Sequence, residues 1–532
     1  MKKLKYELLI VLVFIAVRLP NLGHDTFNTD VWKWKARIYD FGSGVFNLNF
    51  AQTIQKYHPG VTLMWAGTTA VKVYNAYYDI FYKMPPADNS ITTIFELNFV
   101  QKLFVVITIG ITLAFVFYPL RKKFGALYAL LFVLFILLEP FYLALTREIH
   151  LEGLMSTFML ASFVWLVYWL DEKKSHMRIF LSALFGSFAV LTKTSSLFLL
   201  PFTGLLLFLD KYLADRNFKK STKTSLLTFA KWLGIFVLGF VVFWPAMWVA
   251  PLQALEAVYR GIFTIGVERG HEQFYFGKLV LDPGVTFYFV VLALKSSIYL
   301  IPGVIGALVL KKHLHKDAQK FITYALIFSI LYTVQLVIPS KKLDRYLLPA
   351  MLSLSLISVF FYQWLFTQVK KVVFVLLLVP GIIVIALIHP DYFSYYNPIF
   401  GGLKAGIYVL EPKWLIGGPE IVAYFKNLKT EQGLESFSNT ENIDTLIKSN
   451  ALDNKLTVAF QEKYYTQVWP FVRELGGWAV IEDLSPYAVH TKYFVYPVWD
   501  DGFVTEDRFT LTPVGSIKVR GIPVYNVYQR ND

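Results

Sequence analysis

Apolar runs long enough to cross a hydrocarbon layer of about 30 Å recur along this chain from Leu8 to Ile388. A backbone in lipid must satisfy its own hydrogen bonds, so repeated runs of this kind confine this part of the chain to a helical bundle. About eleven spans are readable: Leu8–Pro20, Asn98–Leu120, Phe124–Leu138, Leu151–Leu170, Ile179–Leu191, Ser195–Leu209, Leu226–Trp248, Ser296–Leu310, Phe321–Ile338, Leu347–Phe366 and Val372–Ile388. The composition agrees: 56% of the 532 residues are hydrophobic and 17% charged, as in a polytopic membrane protein. The first run lacks a small-residue cleavage site and is read as a retained helix, not a signal peptide.

Charge sets the expected orientation. The short loops assigned to the cytoplasm, Met1–Tyr6, Leu120–Phe124, Asp171–Arg178, Leu209–Ser225, Lys311–Lys320 and Thr367–Lys371, hold 20 Lys and Arg in 51 residues. The short opposite loops, Glu139–His150, Thr192–Ser195 and Pro339–Tyr346, hold 5 in 24. The positive-inside rule then puts the N-terminus in the cytoplasm of a plasma-membrane protein and the C-terminus outside. The net charge of +14 is explained by topology and contact with anionic membrane lipids; no nucleic-acid partner is needed. The absence of cysteine excludes thiolate metal sites and thiol catalysis.

Two external segments are too long to be connectors. Residues 21–97 are expected to hold interfacial helices such as Val61–Tyr78, and residues 249–295 form the second segment. Beyond residue 390 hydropathy drops. Residues 391–532 read as an extracytoplasmic mixed α/β domain, with a helix near Ile421–Asn427 and strands at Leu456–Phe460, Tyr493–Val498 and Ile522–Val527.

Ionisable residues crowd the external ends of the spans. Asp30 lies just past the first run beside Trp32 and Trp34; it is either a base for a hydroxyl substrate or a solvated acid in an aromatic belt. His58-Pro59-Gly60 is a rigid turn or a turn that also offers His58 to a site. In Thr146–Gly153, Glu148 and Glu152 share one helical face and Arg147 and His150 another, a costly concentration of charge at a membrane boundary unless paired or functional. Lys341, Lys342 and Arg345 stand where topology disfavours cations; they either snorkel to headgroups or bind a phosphate, and Lys193 is a weaker candidate of the same kind. Glu268, His271 and Glu272 match a metal site by residue type but not by the spacing of a known helical zinc motif, so His271 is taken as a substrate or loop-packing residue.

An Asp after the first helix, an HP segment, R-x-x-H-x-E before the fourth span, K-T near the fifth and RYLLP near the tenth together resemble the GT-C glycosyltransferases. Within that superfamily the order is most similar to family 39, the branch of protein O-mannosyltransferases and aminoarabinose transferases. The similarity covers Arg18–Pro398, and His389–Gly402 also looks like a segment that follows the last helix in prokaryotic members. The resemblance implies an enzyme that takes a sugar from a polyprenyl (dolichyl or undecaprenyl) monophosphate and passes it, with inversion, to a hydroxyl acceptor (lipid, glycan or protein). It maps the catalytic Asp onto Asp30, the second acid onto Glu152, and the carrier-phosphate cations onto Arg345 with Lys341 or Lys342. Two departures stand out: Val31 follows Asp30 where an acid is common, and Glu152 replaces the commoner Asp.

A phosphate-linked sugar is already activated, so no nucleotide site is required; no cofactor is called for, and a divalent cation stays open. The rival reading is a secondary transporter or lipid flippase, which predicts paired broken helices and charges in mid-span. A third is a non-catalytic scaffold that presents the C-terminal domain.

Overall fold

The computed structural model describes residues 5–88, 90–171, 175–265, 270, 272–438, 441, 443–449, 451–482, 484–500 and 509–531. Seven of its helices are long and apolar enough to cross a membrane: Ile91–Phe124, Leu151–Asp171, Thr194–Asp215, Phe218–Phe243, Lys316–Val337, Asp344–Gln368 and Lys371–Ile388. Phe287–Lys295 and Leu300–His313 add an eighth if counted together, although they are bent by 105°. Every run read as a span is helical, but eleven is not the count that length supports. Ala126–Leu137 and His176–Thr192 are shorter apolar helices, and Lys5–Arg18 has 14 residues.

The bend is chemically provided for. Both Glu139 carboxylate oxygens accept from the Ser297 backbone N–H, at 3.0 and 3.1 Å. The Ser296 carbonyl accepts from Tyr395 Oη at 3.0 Å and Asn397 Nδ2 at 3.1 Å. These side chains replace the helical partners lost at the break, as backbone at membrane depth requires.

Ion pairs separate the two ends of the bundle. At one end Arg121 meets Glu7 at 2.6 Å, Lys320 meets Asp210 at 2.5 Å, and Lys123 meets Asp171. The opposite ends of these helices carry Arg18, Glu152, Lys193 and Arg345. Residues 21–97 fold over that second end as two helices, Val31–Phe46 and Val61–Tyr82.

A buried network pins them there. Lys102 Nζ donates to Asp25 at 2.8 Å and Glu148 at 3.1 Å. Arg147 donates to Asp25 at 3.0 Å and to the carbonyls of Arg18 and Pro20 at 2.6 and 2.8 Å. The Asp25 carboxyl is held down at about 2: burial pushes it up, but Lys102 and Arg147 outweigh that.

β1 (Gln273–Tyr275) and β2 (Lys278–Val280) pair as a short antiparallel hairpin ahead of the bent pair. After the last span a five-stranded sheet forms in the order β4-β3-β5-β7-β6, where β3 is Thr457–Phe460, β4 Trp478–Ile481, β5 Tyr493–Pro497, β6 Leu511–Val519 and β7 Ile522–Arg530. β3 pairs in parallel with β4 and β5, whereas β7 is antiparallel to both its neighbours. The expected helix near Ile421–Asn427 is Gly418–Glu431. A second helix, Glu462–Glu474, fixes the sheet to the membrane part: Trp32 Nε1 donates to the Thr466 carbonyl at 2.6 Å, and Phe471 packs edge-on against Phe27 with ring centres 5.6 Å apart.

Candidate active site

Asp30 stands at the N-cap of Val31–Phe46, where an aspartate ordinarily accepts a backbone N–H of the first turn. Its carboxylate makes no such bond. Instead Oδ2 lies 3.5 Å from His150 Nε2, and Oδ1 lies 3.7 Å from Lys33 Nζ. The backbone below it is fixed by Asn28, whose Oδ1 accepts the Asp30 N–H at 3.0 Å while its amide donates to Glu148 at 3.0 Å. The Asp30 side chain is 34% exposed, so it is open to a substrate. Burial pushes its pKa up, yet His150, Arg345 and Lys33 outweigh this and hold it well below the usual carboxylate range.

Glu152, in the first turn of Leu151–Asp171, is fully buried and gathers the cations. It contacts His150 Nδ1, accepts from Lys193 Nζ at 2.6 Å and lies 3.6 Å from Arg345 Nε. Lys193 reaches it because the chain turns extended at the end of His176–Thr192, and its ammonium also lies 4.0 Å from the Tyr346 ring centre. The His150 ring is thus clamped between two carboxylates. Trp414 closes over it edge-on at 5.0 Å and over the Arg345 guanidinium at 5.2 Å.

Beyond Arg345 a narrow cavity is lined by Lys295, Asp344, Arg345, Phe393, Lys413 and Trp414. Lys413 pairs with Glu411 at 2.6 Å. Lys295 is buried, donates to the carbonyls of Tyr395 and Phe393 at 3.1 and 3.4 Å, and sits 3.4 Å from the Tyr396 ring centre. Among the described residues no acid lies within ion-pair distance of it, and Asp344 and Asp391 act on its charge from farther away.

The site therefore brings together Asp30, His150, Glu152, Lys193 and Arg345. His58 sits at its rim, with Nδ1 3.1 Å from Thr194 Oγ1. Burial, with Lys193 beside it, pushes His58 down to about 3, which makes it a neutral hydrogen-bonding group and not a cation. Lys341 is half-buried on the same side. Arg147 belongs to the network with Asp25, and Lys342 is committed to Asp282 and the Pro339 carbonyl, both at 2.7 Å. His271 and Glu268 lie outside the described residues. Sequence reading missed Lys295, Tyr346 and Trp414. A lone lysine between two apolar runs was the available signal for Lys295; Trp414 had none.

Each carboxylate at the site already faces cations, and among the described residues no three His, Asp or Glu group as metal ligands.

Fold and site define a multi-pass membrane protein whose ionisable side chains converge at one end of an apolar bundle, under a C-terminal sheet domain. No family model matches the chain, and no curated protein matches it. Among solved structures it is similar to ArnT from Cupriavidus metallidurans bound to undecaprenyl phosphate, with 13% identity, a TM-score of 0.48, and coverage of 99% of this chain and 98% of that one. The apo state of that protein gives a TM-score of 0.46. The Archaeoglobus fulgidus oligosaccharyltransferase AglB, in complex with an inhibitory peptide and a dolichol-phosphate, gives 0.43 at 10% identity, covering 96% of this chain and 73% of that one. Likeness at these values is too slight to assign chemistry, which is read below from the side chains.

Proposed function

We propose that this chain is a GT-C-like glycosyltransferase of the plasma membrane, in which the sugar of a polyprenyl monophosphate passes to a hydroxyl acceptor outside the cytoplasm. The observation that carries the reading is the pairing of an open, ionised Asp30 with Arg345 across His150 and Glu152, beside a cavity that also holds Lys295. The motif order described above supports the same reading. The anionic bridge of the donor would sit against Arg345 and Lys295, and its isoprenoid among the apolar helices.

In the transfer the acceptor oxygen forms a bond to the anomeric carbon while the bond from that carbon to the phosphate oxygen breaks. The leaving electron pair stays on the phosphate, where fixed cations offset the charge. The acceptor proton passes to Asp30. A single displacement of this kind inverts the anomeric centre. Glu152 is the positioning residue that holds Lys193, His150 and Arg345. The 391–532 domain contributes Trp414 and is assigned a part in acceptor recognition. A transporter is disfavoured because the site's ionisable groups lie at helix ends, and among the described residues only one helix pair is broken.

The test is to offer purified protein a panel of radiolabelled polyprenyl-phosphate sugars with lipid, glycan and peptide acceptors. Transfer or hydrolysis of at least one donor is expected. Failure to turn over any of them, with no binding of the bare polyprenyl phosphate, overturns the proposal.

A further inference from the structure

The helix Pro251–Arg260 and the turn Gly261–Ile265 that follows it carry a feature the site does not use. Leu252, Leu255, Tyr259 and Phe263 are spaced by three, four and four residues, which puts them on one helical face, and all are exposed: 81, 48, 60 and 57%. Gln253 and Arg260 occupy a neighbouring face, and Glu256, four residues after Leu252, stands at the border between the two, where it pairs with Arg260 at 2.6 Å. Within the helix only Ala254 is buried. The stripe is therefore apolar, continuous and unused by the protein's own packing.

What covers it follows from what precedes it. The helix begins a few residues after Phe218–Phe243, a candidate membrane span whose Val237, Leu238, Val242 and Phe243 are exposed in the same way. Trp248 and Val249, in the connection, continue the exposed apolar surface. The exit is at the site end of the bundle, since Trp65 Nε1 donates to the Phe243 carbonyl at 2.9 Å. An amphipathic helix leaving a span with aromatic residues at the exit fits the headgroup layer of a bilayer.

We infer that Pro251–Arg260 lies in the membrane interface, with Leu252, Leu255 and Tyr259 turned into lipid and Gln253 and Arg260 toward water. Its far end abuts the site, because a Cβ on Gly261 would stand 2.8 Å from the Tyr57 carbonyl, next to His58. The helix thus forms a threshold between the bilayer surface and the pocket. The inference concerns lipid contact and stands whether or not the chain transfers a sugar.

Because the chain has no cysteine, single probes are simple to place. Leu252→Cys, Tyr259→Cys and Gln253→Cys, each labelled with a nitrobenzoxadiazole dye, are compared in nanodiscs of phosphatidylethanolamine and phosphatidylglycerol containing doxyl-labelled lipid. The inference expects blue-shifted emission and loss of signal to the doxyl lipid at 252 and 259, with loss to aqueous iodide at 253. Equal iodide access at all three positions would show a water-facing helix and overturn it. Shielding of 252 and 259 from both quenchers would mean that another protein chain covers the stripe, and would overturn it too.

Discussion

Two demands meet at Asp30. A general base works best with a pKa near the working pH, yet His150, Arg345 and Lys33 hold this carboxylate far lower. The proposed donor would resolve the conflict: a phosphate seated against Arg345 would offset positive charge near Asp30 and raise its basicity only when substrate is bound. His150 carries the reverse shift. Burial lowers its pKa, but Glu152 with help from Asp30 outweighs burial, so the net direction is upward. The folded value then exceeds the ordinary imidazole value of about 6.5. The stability this gives is full below that value and is lost as pH rises through the folded one. Thermal melts across the neutral and alkaline range should show wild type losing stability with rising pH and His150→Asn following a flatter curve. Glu152→Gln should be worse at every pH, since removing one partner from a buried ionic cluster costs about 3–5 kcal/mol; denaturant titration reads that loss. Asp30, Glu152 and Arg345 were legible because ionisable residues at apolar boundaries are conspicuous. Arg147 and Lys342 were equally conspicuous, and only three-dimensional partners separate the structural cations from the open ones.

Among the elements, the helices were legible and their joints were not. Hydropathy located every apolar run, but it treated Ser296–Leu310 as a free-standing span. The bend at Ser296 depends on Glu139 and Asn397, distant in sequence. β4 has only four residues, and β6 contains Pro513 and Gly515, so neither shows the alternation that marks a strand. One joint makes a sharp prediction. Gly60 has φ +62°, and a Cβ there would lie 2.4 Å from the Trp34 ring. Trp34 sits one turn after Asp30, so Gly60→Ala should cost about 1–3 kcal/mol through overpacking. It should also disturb Asp30, which paired measurements of melting and of turnover per folded molecule would detect.

Over the whole molecule, one end of the bundle carries part-buried ion pairs, while the other holds a buried structural network and, beside it, a cluster with a partly exposed carboxylate at Asp30. The C-terminal domain belongs to that second end: Leu415 N–H donates to Gln467 Oε1 at 2.8 Å, which steadies the segment bearing Trp414 over Arg345. Such a contact between residues far apart in sequence leaves no local pattern, which is why the domain was legible and its share in the site was not. Since the carboxylates are matched by cations, removal of divalent ions with a chelator should leave transfer unchanged; a rate restored only by added metal would show a ligand set that these side chains do not supply. The most direct measurement of all compares wild type and Asp30→Asn on one radiolabelled polyprenyl-phosphate sugar, following both binding and turnover. Loss of the base predicts a fall in turnover of about 10²–10⁴ with donor affinity retained. Undiminished turnover in Asp30→Asn would contradict the account.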